Sequence, residues 1–252
     1  MIDSIDHGPV RELRLHRPPA NAISPDLILA LSKALLSAPQ QGAKAIVLSG
    51  MPGMYSAGLD VPVLLSLDRA TMAEVWRDFY AMLKTMACSP IPIAAAITGH
   101  APAGGTVLAL FCDARFAADG NFKIGLNEVA VGLMLPPIIY LALESVVGSR
   151  QAERLAVAGL LVSSAEAARV GLVDEVVPAD GVVRRAVEWC EGLLKLPPQA
   201  MAATRARARQ HLRGAFAVDL SKELEEVCDH WWRDETQNTL RALVEGLRKK
   251  KQ

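Results

Sequence analysis

Apolar and charged residues alternate along Val10–Leu15, VRELRL, as they do in a strand with one face in a core and the other toward water. Ala43–Ser49, AKAIVLS, predicts a strand, Ile91–Thr98 a buried strand rich in apolar residues, and Ala114–Ala118 another. Between them the period lengthens. From Asp68 to Met86, the residues Met72, Val75, Trp76, Phe79, Met82, Leu83 and Met86 fall on roughly one helical face. Ser24-Pro25-Asp26 marks a helix start, with Ser24 as N-cap and Pro25 at the first helical position, and that helix is predicted to run to about Leu36. Gly104–Cys112 predicts a buried helix. Strands alternating with helices argue for an α/β core.

Beyond Pro136-Pro137 the pattern turns largely helical. Ser163-Ser164-Ala165-Glu166 is a capping box, with Ser163 as N-cap. Val173–Val177 is a last short strand, and Asp180–Leu196 a helix stopped by Pro197-Pro198. Gln199–Arg248 reads as two or three amphipathic helices. The proline pair is the expected boundary, separating a core over 1–196 from a helical region over 197–252.

Composition excludes several classes. The 252 residues are 51% hydrophobic and 21% charged, with Lys plus Arg and Asp plus Glu both 27. A nucleic-acid binder would carry a basic surplus, which this chain lacks. The basic run Arg248-Lys249-Lys250-Lys251 reads as a solvated tail, with contact to a phosphate as the alternative. The stretch from Thr85 to Cys112 carries no Asp, Glu, Lys or Arg, yet Pro90, Pro92, Gly99, Pro102, Gly104 and Gly105 interrupt it too often for a membrane span. MIDSIDHGPV at the start has no basic leader followed by an apolar run, so no secretory signal is expected. Cys88, Cys112, Cys190 and Cys228 are widely spaced and read as reduced, buried thiols of a cytoplasmic protein, with no metal expected.

Three segments could carry chemistry. Gly99–Thr106, GHAPAGGT, approaches the phosphate-cradling pattern G-x-x-x-x-G-K-[ST], but Gly105 stands where the lysine would be. A strand, a glycine turn and a helix start remain, and amides there suit a developing negative oxygen; tight helix–strand packing is the plainer reading. Tyr55–Asp60, YSAGLD, is a second place for an exposed amide, and Ser56 is not in a G-x-S-x-G elbow because position 54 is Met. In Lys123–Gly132, KIGLNEVAVG, Glu128 lies among apolar residues, where burial would raise its pKa and suit it to acid–base work near neutral pH. A capping or salt-bridged glutamate is the ordinary alternative. None of His7, His16, His100, His211 and His230 has a partner at metal-ligand spacing, and His100 reads as a loop histidine. The Met and aromatic stripe at 72–86 reads as core, part of which could line an apolar pocket.

Together with HRPPANAI at 16–23, ITGHAPAGGTVLALFCDARFAA at 97–118 and LVSSAEAARVGLVDEVV at 161–177, these segments resemble the crotonase (enoyl-CoA hydratase/isomerase) superfamily over nearly the full chain. The resemblance implies a spiral of ββα units with a helical C-terminal region that builds trimers or dimers of trimers. It implies a coenzyme A thioester as substrate, with no metal or other cofactor. By position, it implies an oxyanion hole from the amides of Leu59 and Gly104 and a catalytic Glu128. The stretch Ala57, Gly58 and Asp60, with Gly105 in the second turn, would hold the CoA thioester, and the carbonyl at Ala57 would meet the adenine.

One departure is informative. Hydratases of this superfamily carry a second glutamate three residues after the glycine matching Gly104, a position held here by Val107. A single carboxylate suits moving one proton from C2 to C4 of a 3-enoyl thioester, and IGLNE and PAGG are similar to the 3,2-enoyl-CoA isomerases. The alternatives are hydration or thioester hydrolysis through another group, and a non-catalytic CoA- or RNA-binding relative.

Overall fold

A computed structural model describes residues 1–249; Lys250 and Lys251 of the basic run lie outside the described residues. Nine strands appear in chain order: β1 (Ile2–His7), β2 (Val10–Leu15), β3 (Ala45–Ser49), β4 (Gly53–Met54), β5 (Ile93–Ile97), β6 (Gly99–Pro102), β7 (Ala114–Ala118), β8 (Ile124–Gly125) and β9 (Glu175–Val177). β1 and β2 form an antiparallel hairpin, and the larger sheet continues in parallel in the order β1-β2-β3-β5-β7-β9. The short strands β4, β6 and β8 form a second parallel sheet. β3, β5 and β7 are each followed by a short strand and then by helix, the repeat of the expected spiral of ββα units.

Side-chain alternation explains the layers. In β5, Ile93, Ala95 and Ile97 enter the large core, while Ala94 and Ala96 face the opposite side. There the helix Val182–Leu194 packs Val182, Ala186, Val187 and Cys190 against them, and small alanines let it lie close to the sheet. The helices Pro25–Gln40 and Arg69–Ala87 cover the other face. Ser24 and Asp68 cap them, accepting from Leu27 N (3.3 Å) and Thr71 N (2.8 Å).

Several expectations need correction. The hairpin strand β1 and the short strands β4, β6 and β8 were not foreseen; two to four residues cannot display a period. Glu166 does not complete a capping box. Ser163 accepts from its amide at 3.2 Å, but its carboxylate is taken up by Arg169 and Arg154. Cys88 is exposed, so only Cys112, Cys190 and Cys228 are buried. Among the described residues the C-terminal region holds four helices, Pro198–Ala208, Gln210–Gly214, Ser221–Trp231 and Asp234–Lys249, and the first has no apolar stripe. His100 lies in β6, where Nδ1 accepts from Lys123 N at 3.1 Å and the ring meets Phe122 edge-on.

The region beyond Pro197 is pinned to the core by charge. Asp113, after the helix Gly104–Leu110, accepts from Arg205 at 2.8 and 2.9 Å and from Arg209 at 3.2 Å, with side chains only 10–13% exposed. Asp113→Ala would strand two nearly buried guanidinium groups, and should lower unfolding free energy by about 3 kcal/mol in a denaturant titration. A loss under about 1 kcal/mol would mean that the cluster is exposed and weak.

Candidate active site

The three short strands deliver three segments to one place. β4 leads into Tyr55–Asp60, β6 into Ala103-Gly104, and β8 into Asn127-Glu128. Residues from all three line a cavity of about 330 Å³, among them Ala57, Leu59, Gly104, Val107, Asn127 and Glu128. That volume lies at the lower end of small-molecule sites.

Leu59 forms an isolated parallel bridge with Ile23. Ile23 N donates to Gly58 O (2.8 Å) and Asp60 N donates to Ile23 O (3.0 Å), so the intervening Leu59 N–H faces away from this pairing. Gly104 opens the helix Gly104–Leu110, whose first-turn amides have no acceptor within the helix. Backbone proximity brings these segments together. A Cβ on Gly58 (φ +85°) would lie 3.1 Å from Gly104 N, and one on Gly104 would lie 3.3 Å from Leu59 N. Ala103, just before Gly104, sits at φ 46°, a strained conformation for a residue with a side chain. Its amide is held by Gly125 O at 2.8 Å.

Glu128 begins the short 3-10 turn Val129–Val131. Its carbonyl accepts from Val131 N (3.0 Å) and Leu133 N (2.9 Å), which fixes the backbone. Among the described residues its side chain has no ion pair, and Oε2 is buried without a hydrogen-bond partner. Burial away from water pushes this carboxyl up to about 7. Asn127, which sequence reasoning passed over, brings a second unpartnered buried oxygen, Oδ1, to the same wall.

The other expected residues divide. Ala57 lines the cavity, whereas Gly58 and Gly105 stand behind it. Gly105 permits contact with Ser56, whose carbonyl would lie 2.4 Å from an added Cβ. Asp60, expected at the ligand, instead pairs with Arg17 at 2.6 Å and caps Val61–Leu64, and it is not part of the cavity wall. The rest of the wall is apolar. Trp76 and Phe79 come from the Met and aromatic stripe, and Leu133, Met134, Pro136 and Ile139 follow Glu128. Val227, His230, Leu243 and Leu247 come from the last two helices. Nothing in the local sequence links those C-terminal residues to Glu128. Among the described residues no three His, Cys, Asp or Glu side chains gather as a metal site, and no helix is long and apolar enough to cross a membrane.

The raised carboxyl has a consequence for stability. Glu128 titrates at 4.5 when free of the fold and near 7 within it. The stability gained from the neutral form is full below 4.5 and is lost as pH rises through 7. Glu128→Gln escapes that loss, so it should be more stable than the parent at about pH 8, by up to about 3 kcal/mol, with the gap closing at about pH 4. Thermal melts at both values check this; a gap that does not change with pH would contradict it.

Comparison with known proteins adds the following. A family model described as Enoyl-CoA hydratase/isomerase matches residues 6–250. The chain is 31% identical over 245 residues to enoyl-CoA delta isomerase 1, mitochondrial, of Homo sapiens, spanning 96% of this chain and 81% of that protein. It is 35% identical over 201 residues to a probable enoyl-CoA hydratase of Mycobacterium avium, spanning 77% and 76%. The crystal structure of human mitochondrial delta3-delta2-enoyl-CoA isomerase superposes with a TM-score of 0.95 at 29% identity, covering 100% of this chain and 99% of that one. An enoyl-CoA hydratase/isomerase from Mycobacterium paratuberculosis superposes with a TM-score of 0.86 at 27% identity, covering 96% and 97%.

Proposed function

The chain belongs to the enoyl-CoA hydratase/isomerase family, and on that premise we propose that it moves the double bond of a 3-enoyl-CoA to the 2 position. One observation carries this reading: Glu128, raised to about 7 by burial, shares its cavity with the turns of Leu59 and Gly104 and with Val107, the position where the resemblance to hydratases implies a second carboxylate.

The chemistry follows from that arrangement. Ionised Glu128 takes a proton from C2. The electron pair delocalises onto the thioester oxygen, where the Leu59 and Gly104 amides donate to it. Preorganised donors of this kind contribute about 3–4 kcal/mol each. The same carboxylic acid then returns the proton to C4, so no other reactant is consumed. The thioester lies against Ala57 and Leu59, and the acyl chain runs along the wall of Trp76, Phe79 and Ile139. Because the base must be ionised, the rate should fall as pH drops through about 7.

Hydration is the second reading, favoured by Asn127 and His230, polar groups on the same wall that could hold a water, and by the likeness to the probable hydratase. The wild type should be given a 3-enoyl-CoA and a 2-enoyl-CoA separately. Conjugation of the first without hydration of the second is expected, and Glu128→Gln should slow it at least about a hundredfold. Efficient hydration with the 3-enoyl substrate untouched would overturn the isomerase reading. A folded Gly104→Pro enzyme, checked by circular dichroism, should be inactive because proline removes the amide donor.

We also propose a trimer or dimer of trimers assembled through the helices after Pro197. In support, no residue of Pro198–Ala208 is fully buried within one protomer, and Leu196 and Val218 are exposed. Light scattering at micromolar concentration should give three or six copies; a monomer would contradict it.

A further inference from the structure

The turn that carries Glu128 has a second support, supplied from more than a hundred residues away. Its far end is Gly132, at φ +76°. The Gly132 carbonyl accepts a hydrogen bond from Thr236 Oγ1 at 2.7 Å. Thr236 lies in the first turn of the helix Asp234–Lys249 and is 1% exposed. Turn and helix also touch directly: a Cβ on Gly132 would lie 3.1 Å from Thr239 Cβ and 3.4 Å from Thr236 Cα. The helix start is itself anchored, since Gln237 Nε2 donates to the carbonyl of fully buried Trp231 at 2.8 Å. Further along the same helix, Leu243 and Leu247 line the cavity.

We propose that Thr236 is a positioning residue for Glu128, holding the carboxylate-bearing turn against the C-terminal helix so that water stays off the carboxyl group. The inference deepens the isomerase reading and rests on it only for its consequence in turnover. A hydroxyl has one hydrogen, and the Gly132 carbonyl can only accept, so that hydrogen is committed. Thr236 Oγ1 is then free to accept from His230 Nδ1, 3.4 Å away. Thr236 thus joins the Glu128 turn to a cavity-lining imidazole.

Among the described residues, few charges compete for influence on Glu128. Of the residues lining the cavity, only Glu128 and His230 titrate. The helices Val61–Leu64 and Gly104–Leu110 carry no charged residue. On the helix Arg69–Ala87 the residues Arg69, Glu74, Arg77, Asp78 and Lys84 are exposed, as are Asp234, Glu235, Arg241, Glu245 and Lys249 among the described side chains of the last helix. Glu223 is engaged by Tyr80 Oη (2.8 Å) and Ile138 N (3.3 Å), and Glu225, Glu226 and Asp229 on its helix are exposed. Glu144 lies more than a turn beyond Ile139 on the helix Pro137–Val147. Freeing the turn would therefore act on Glu128 chiefly by letting water in.

The test uses the full chain with Thr236→Val and Thr236→Ser. The Glu128 carboxyl is titrated by carbon-13 NMR, its signal assigned by loss in Glu128→Gln, and kcat and KM are measured on a 3-enoyl-CoA. In Thr236→Val the Glu128 pKa should fall by about one unit or more as the group is hydrated. Its kcat should drop about tenfold with KM within about twofold, the pattern of a misplaced reacting group. Thr236→Ser should restore both. Should Thr236→Val fold poorly by circular dichroism, Thr236→Ala deletes the same hydroxyl and is read in the same way. A folded hydroxyl-less variant whose Glu128 titrates as in the wild type would overturn the proposal, as would failure of serine to restore it. A shifted pKa with unchanged turnover would uphold the positioning and count against Glu128 as the base.

Discussion

A carboxyl group kept from water is costly to ionise, and among the described residues no cation stands beside Glu128 to offset that cost. Glu128 Oε2 has no partner, and Val107, Val131, Leu133 and Ile139 share its cavity wall. The fold accepts the penalty because the backbone of the turn is fixed independently of the side chain, through the Glu128 carbonyl. A lysine or arginine at this wall would restore a low pKa and remove the reason for the arrangement. Perturbed carboxyls also occur for purely structural reasons; here the group shares a cavity with Leu59 and Gly104, and the proposed role of Glu128 as base rests on that combination.

The second requirement is close approach of backbones. Gly58 and Gly104 lie so near each other that a methyl group on either would crowd an amide of the other segment. The parallel pairing of β4, β6 and β8 brings this about, since each of these strands ends at one of the three site segments. Sites at the carboxyl ends of parallel strands are a general outcome of α/β architecture. The large sheet contributes no residue to the cavity wall, and its central strands β3, β5 and β7 are buried on both faces.

Legibility in the sequence followed the length of each signal. β7 was read to the residue, and the helix Arg69–Ala87 to within a residue or two, because their patterns extend over enough positions to show a period. β4 and β8 are two residues long and had no pattern to show. Glu128 was visible as a charged residue among apolar ones, yet the cavity wall it shares includes Leu243 and Leu247, which no local rule connects to it. The resemblance gave Asp60 to the ligand; its carboxylate pairs with Arg17 and caps the short helix Val61–Leu64, engagements that no local pattern announced. Asn127 and Thr236 were missed because their significance lies in what they face across the fold.

The central claim is that one shielded carboxyl both removes and returns the proton. A 3-enoyl-CoA carrying deuterium at C2, turned over in ordinary water, tests it most directly. A single carboxyl closed off from solvent predicts that a measurable share of the deuterium appears at C4 of the 2-enoyl product, as read by mass spectrometry or NMR. Product with only solvent hydrogen at C4, even in the earliest turnovers, would show that separate groups, or bulk water, perform the two transfers.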